Sequence, residues 1–311
     1  MNPAFSVIVF STATGVGYGL LALLGILTPF GLLPHDRIFG FVALAVALAS
    51  ITAGLLSSLF HLGRPERAWR ALSQWRSSWL SREGVAAVAT YVPAGAFGIL
   101  WVFFGRVSMI AGVVSAIGAV MTVCCTAMIY RSLKPVPRWH NAWVLPVYLL
   151  AALMSGVLWL AAILHFFGSL PSISGLAAAA IAALCVAKIG YWRSIDTASA
   201  TSTAASALGL GPVGAVRLFE APHTSQNYLL REMGFELARK HAAKLRRIAL
   251  VGGFGFPFLL SGIAVATSGW PAMAAAWLAA LLGTTGIFIE RWLFFAEARH
   301  VVTLYYGKSA A

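Results

Sequence analysis

Charge is what this chain has least of. Only 10% of its 311 residues are charged and 60% are apolar, where a soluble domain carries about 25% charged residues. So few charges cannot cover the outside of a soluble fold, so the excess apolar surface faces lipid and the chain reads as a polytopic membrane protein. Acidic residues are the scarcer sign, 9 Asp and Glu against 22 Lys and Arg, for a net charge of +13. The basic residues sit in short segments between apolar runs, which membrane orientation explains better than a polyanion, so nucleic acid is not an expected partner. Cysteine is nearly absent. Cys124, Cys125 and Cys185 all fall inside apolar runs, without the spacing of a zinc or iron–sulfur site, and read as small apolar fillers. No metal ligands, no iron–sulfur cluster and no catalytic residue of its own are expected, and any metal centre that handles electrons belongs to a partner.

Other absences narrow the function. No two histidines occupy facing mid-membrane positions, which argues against bis-histidine haem. No file of acidic residues crosses the bilayer, which argues against a proton pump or ion channel. Pro93, Pro146 and Pro257 interrupt apolar runs, but not at matched places in two halves, which argues against an inverted-repeat transporter. The N-terminus has no basic segment ahead of its first apolar run, so that run reads as a retained span, not a signal peptide.

What the sequence has is long apolar runs. A span needs about 20 mostly apolar residues. Eight candidates lie at about 6–30, 36–60, 85–105, 107–130, 143–167, 173–193, 246–268 and 271–296. The runs are continuous and do not alternate, so they are helices and not barrel strands. The expected architecture is all-α: one integral membrane domain over residues 1–311, a bundle of eight transmembrane helices. Eight spans place both termini on one side. That side carries 20 of the Lys and Arg residues, and the other carries only Arg37 and Arg106. The positive-inside rule makes the rich side cytoplasmic. The longest loop, about 194–245, lies there. Its first half is rich in small and polar residues. From Thr224 to Arg247, apolar residues such as Tyr228, Leu229, Met233 and Leu237 recur near helical spacing between charges, which predicts an amphipathic cytoplasmic helix. A solvated extension of span seven is the plainer alternative.

Chemistry-bearing residues concentrate between spans two and three, in His61-Leu-Gly-Arg64-Pro-Glu-Arg-Ala-Trp69 and Trp75-Arg-Ser-Ser-Trp79-Leu-Ser-Arg82-Glu83. His61 ends span two, Glu83 starts span three, and the tryptophans suit the interface. A carboxylate at a membrane boundary is expensive unless it is paired or used. Glu83 has Arg82 beside it and a helix N-terminus to complement, a purely structural role. The functional alternative is proton exchange, for which a carboxylate partly withheld from water is suited. His61 could do the same or donate to a carbonyl, although a lone helix-end histidine is commonly an interface residue. A quinone fits such a constellation: a proton-exchanging group near each carbonyl, aromatic walls and an opening to lipid for the tail. Deeper in the spans, Glu290 and Arg291 form a possible pair, and Lys188 lies near the cytoplasmic end of span six.

These motifs, together with Pro222-His-Thr-Ser-Gln-Asn-Tyr228, Ala238-Arg-Lys-His241 and Glu290-Arg-Trp-Leu-Phe-Phe-Ala-Glu297, resemble those of the DmsC-type membrane-anchor subunits of dimethyl sulfoxide reductase-like molybdenum enzymes. The resemblance spans nearly the whole chain. It implies a complex with a molybdopterin catalytic subunit and a four-cluster iron–sulfur subunit, and an anchor that binds ubiquinone or menaquinone and holds no haem. It assigns quinone binding to His61 and Glu83, with Arg64, Trp79 and Arg82 as weaker candidates. In the best-known members the catalytic arm faces the periplasm. Here the charge count places the motif loop in the cytoplasm of a bacterial inner membrane, which resembles a cytoplasm-facing, sulfite-oxidising branch. Quinone reduction by sulfite is therefore the preferred expectation. A quinol-oxidising terminal reductase anchor, or a passive docking anchor, is the alternative.

Overall fold

The computed structural model describes residues 4–60, 62–168, 170–199, 202–211 and 241–306, with isolated positions 216, 219, 220 and 225. His61, the motif Pro222–Tyr228 apart from Ser225, and most of the expected cytoplasmic amphipathic helix lie outside the described residues.

Eight helices are long and apolar enough to cross a bilayer: α1 (Phe5–Leu27), α2 (Arg37–Leu59), α3 (Trp79–Phe103), α4 (Met109–Arg131), α5 (Val144–Leu164), α6 (Pro171–Thr197), α7 (Ala242–Ala266) and α8 (Gly269–Ala296). No β-strand occurs among the described residues. The expected all-α bundle is what forms, because each run satisfies its own backbone hydrogen bonds where water cannot. The boundaries shift at informative places. Helix α3 starts at Trp79, not near residue 85, because Ser78 caps it by accepting from the Ser81 amide, so the helix begins in the polar interface before its apolar run does. The chain between α2 and α3 folds into a 3₁₀ helix, Pro65–Gln74. Ser81 pins it to α3 by donating to the Ala71 carbonyl.

Helices α1 and α5 form the axis of the bundle: 72% of the α1 span and 78% of α5 are buried, against 28% of α3. Helix α1 packs against α2, α4 and α5, and α7 against α6 and α8. Two crossings bring backbones into contact through glycine. A Cβ on Gly156 of α5 would stand 2.3 Å from the Gly19 carbonyl carbon of α1, and a Cβ on Gly253 of α7 would stand 2.3 Å from Gly286 Cα of α8. Small residues of this kind are what permit close helix packing in lipid, where apolar burial supplies no drive. Gly253 lies in a π-helical segment, Ala249–Gly255, just ahead of Pro257, whose missing N–H the widened turn accommodates. A Gly156→Val substitution is therefore expected to cost more than the ~1–3 kcal/mol of ordinary overpacking, because backbone, not a side-chain tip, must yield. The purified subunit should melt well below the parent or fail to accumulate. Gly262→Ala, which meets nothing within 4 Å, should leave the melting temperature unchanged.

The cytoplasm-side ends of the helices, by the expected orientation, are laced together. From the α4–α5 connection, the Trp139 indole donates to the Phe294 carbonyl at 3.0 Å, and Arg138 Nη1 donates to the Glu297 carbonyl at 3.1 Å. Burial lowers the Arg138 pKa, helped by the nearby charge of Arg299, while Glu297 opposes the shift. Arg246 bridges Glu297, at 2.8 Å from Nε, and Asp196, at 3.0 Å from Nη2.

Candidate functional site

The expected site residues do not form one cluster. Glu83 sits on the fifth residue of α3, more than one turn inside it, and is only 5% exposed. Its carboxylate accepts a hydrogen bond from the Thr126 hydroxyl, near the C-terminal end of α4. The position complements no free helix N-terminus, so the macrodipole role expected of it has little purchase there. Arg82 is turned away from Glu83. Its Nε donates to the Trp75 carbonyl at 2.9 Å, its Nη2 to the Arg76 carbonyl at 2.7 Å, and its guanidinium carbon lies 4.3 Å from the centre of the Trp79 ring. Arg82 and Trp79 thus cap the end of the 3₁₀ helix and hold the loop. Arg64 is exposed and precedes that helix. His61 lies outside the described residues. Of the four described candidates, Glu83 is therefore the one seated in the bundle. Arg64 lies in the loop, and Trp79 and Arg82 in the first turn of α3.

Two spaces lie along α4 beside Thr126, the residue that holds this acid; Glu83 itself lines neither. The first is a cleft between α1, α4 and α5 of about 160 Å³, lined by Tyr18, Leu23, Ala119, Val123 and Leu153 and flanked by lipid-facing Ile26 and Val120. Its one buried polar wall is Tyr18, whose hydroxyl has no hydrogen-bond partner among the described residues. The second is a small polar cavity between α1, α4, α5 and α8, lined by Ser11, Thr14, Thr126, Tyr148, Ser155 and Arg291. Val123 and Ala152 line both.

A third feature is a buried ion cluster. Lys188, Glu290 and Arg291 are each at most 2% exposed. The expected Glu290–Arg291 contact exists at 3.5 Å, but the closer partner of Glu290 is Lys188 of α6. Lys188 Nζ also lies 4.2 Å from the centre of the Tyr191 ring, and the Arg291 guanidinium stacks 3.6 Å from that of Tyr148. Among the described residues, no three His, Cys, Asp or Glu side chains gather in a way that could hold a metal ion.

The family model for the DMSO reductase anchor subunit (DmsC) matches residues 1–297. The chain belongs to this family. It is a DmsC membrane anchor, a multi-pass protein of the type that serves dimethyl sulfoxide reductase-like complexes. It is 32% identical, over 332 aligned residues that span the full length of both proteins, to the C subunit of the sulfite dehydrogenase of Allochromatium vinosum. It is 31% identical over 117 residues to the YnfH chain of an anaerobic dimethyl sulfoxide reductase of Escherichia coli, covering 36% of this protein and 40% of that one. It is 28% identical over 116 residues to the C chain of the anaerobic dimethyl sulfoxide reductase of Haemophilus influenzae, covering 36% and 41%. Sequence reasoning missed Tyr18, Thr126 and Tyr148 in this DmsC anchor. Depth was the available signal for two of them: Thr126 and Tyr148 lie within about two turns of the same bundle end as Glu83, whereas Tyr18 lies mid-helix.

Proposed function

We propose that this anchor passes electrons between a partner's iron–sulfur clusters and quinone dissolved in the bilayer, with Glu83 exchanging the protons. The observation that carries the proposal is a carboxylate buried inside the bundle, held by Thr126, one turn along α4 from a cleft that opens toward lipid. The cleft has the size for a quinone ring, since an engineered cavity of about 150 Å³ admits benzene. Its walls are apolar, as an isoprenoid chain requires, and the unpartnered Tyr18 hydroxyl can donate to a carbonyl. Tyr18 in turn lies within electrostatic reach of Glu83 and Tyr91. By the family resemblance, His61 serves the second carbonyl. Reduction of one quinone takes up two electrons and two protons, and Glu83 is positioned to relay protons from the basic-rich end of the bundle.

The same proposal assigns the partners and the direction. A four-cluster iron–sulfur subunit and a molybdopterin subunit dock on the cytoplasmic face of a bacterial inner membrane, where both termini lie. The 20-to-2 division of basic residues supports that face. End-to-end similarity to a sulfite dehydrogenase subunit supports sulfite oxidation with quinone reduction, and the shorter matches to dimethyl sulfoxide reductase chains support the quinol-oxidising alternative. A second reading, docking without quinone chemistry, is favoured by the low exposure of Glu83. Titrating a short-chain ubiquinone or menaquinone analogue into the purified complex separates the two. A saturable change in the cluster or quinone-analogue signal is expected, and a flat titration would establish the passive anchor.

A further inference from the structure

The polar cavity that Thr126 lines has an unusual division of hydrogen-bonding capacity. The hydroxyls on its wall have spent their hydrogens on their own helices. Ser11 donates to the Ile8 carbonyl at 3.1 Å, Thr14 to Phe10 at 2.7 Å and Ser155 to Ala151 at 2.8 Å. Each can only accept from the cavity. The same cavity is lined by the Tyr148 hydroxyl and Arg291 Nε, buried donors with no hydrogen-bond partner among the described residues, while Arg291 Nη1 pairs with Glu290 at 3.5 Å. Arg291 stacks on the Tyr148 ring, its guanidinium carbon 3.6 Å from the ring centre. A cavity lined by both acceptors and donors does not suit an anion, which would meet the hydroxyl lone pairs. It does not suit a second cation, which would meet the guanidinium. It suits a molecule that donates twice and accepts twice. The free space is about 10 Å³, which is what one water molecule needs.

We propose that this cavity holds one ordered water, donated to by Tyr148 and Arg291 and donating to Thr126, and that water and Thr126 together form the hydrogen-bond relay behind Glu83. Thr126 has one hydrogen and two acceptors within reach, the Glu83 carboxylate and the Thr122 carbonyl at 3.0 Å. With Glu83 ionised, the hydrogen points to the carboxylate. With Glu83 protonated, it turns to Thr122, and the Thr126 oxygen accepts from the acid. The water supplies the remaining bond to the Thr126 oxygen, so neither protonation state of Glu83 strands a buried polar group. Thr126 is thus a positioning residue that keeps both forms of the acid accessible. Its role in turnover rests on the quinone reading above; the water does not. The other ionisable groups within electrostatic reach of Glu83 are Tyr18 from α1, Cys125 and Tyr130 from α4, and Tyr148 from α5, with Arg82 beside it on α3 and Arg291 of α8 lining the cavity; substitutions at Thr126 keep all of these side chains.

Two measurements on the whole complex decide this. The first compares Thr126→Val with Thr126→Ser, reading quinone-linked turnover across pH against turnover with a soluble artificial acceptor. The Val variant is expected to lose tenfold or more of the quinone-linked rate and to move its pH profile, with the artificial-acceptor rate unchanged. The Ser variant, which keeps the hydroxyl, should stay within about twofold of the parent at every pH. A Val variant that matches the parent, or a Ser variant as impaired as Val, overturns the relay. The second is a high-resolution map of the parent complex. A single peak within hydrogen-bonding distance of the Tyr148 hydroxyl and Arg291 is expected, and a cavity closed by side chains overturns the water. If the parent complex has no quinone-linked turnover, the quinone reading itself fails, and the map alone judges the water.

Discussion

Glu83→Gln is expected to lower quinone-linked turnover by about 100-fold or more, the range that a positioned acid or base contributes, while leaving the complex assembled. The substitution is nearly isosteric. The carbonyl oxygen of the introduced amide can still accept from Thr126, so the hydrogen bond that seats the side chain between α3 and α4 survives. What disappears is the exchangeable proton. Removal of a carboxylate held at 5% exposure also lifts a desolvation cost, so the variant should be at least as stable as the parent. Loss of rate without loss of stability is therefore the signature. It is read as the ratio of quinone-linked to artificial-acceptor turnover, beside the melting temperature of the complex. Undiminished quinone-linked turnover would remove Glu83 from the proton path and require another group to exchange the protons.

The lipid solvent explains how much of this was legible in the sequence. The eight spans could be read from apolar runs alone, because a bilayer forces each helix to be continuous and self-satisfied. Glu83 stood out for the same reason: few carboxylates occur in such a chain, and each has to be accounted for. What sequence adjacency suggested about its partner was misleading. Arg82 and Glu83 are neighbours in the chain, but successive helical residues point about 100° apart. Arg82 faces the loop carbonyls while Glu83 faces the bundle. The true partner, Thr126, is 43 positions away and is of a residue type that is unremarkable inside a span. For Glu290, adjacency found a real partner but not the nearer one. Adjacency pointed to Arg291, whereas Lys188 on α6 is the closer partner. The start of α3 was misplaced because counting apolar residues ignores a capping serine. Charged residues in this chain mark where something happens, and only the packing of the helices says with what.

The buried ion cluster yields the second large effect, and it is asymmetric. Glu290 is the one carboxylate that Lys188 and Arg291 share. Neutralising it by Glu290→Gln leaves two cations in a site with almost no exposure, and breaking a buried pair in this way costs about 3–5 kcal/mol. Neutralising Lys188 by Lys188→Met leaves one anion facing one cation, with Arg291 already 3.5 Å from Glu290 and able to close on it. The methionine also suits the apolar and aromatic surroundings that Lys188 occupies beside Tyr191 and Trp192. Lys188→Met is therefore expected to cost roughly half as much as Glu290→Gln, within the ~1.5–3 kcal/mol of a lost charged hydrogen bond. The double variant should be more stable than Glu290→Gln alone, because it returns the site to a single cation, already stacked on Tyr148. Thermal melting of the three variants in one detergent closes the cycle. Equal losses from Glu290→Gln and Lys188→Met would mean that Arg291 does not draw on Glu290, and that its charge is met elsewhere in the bundle.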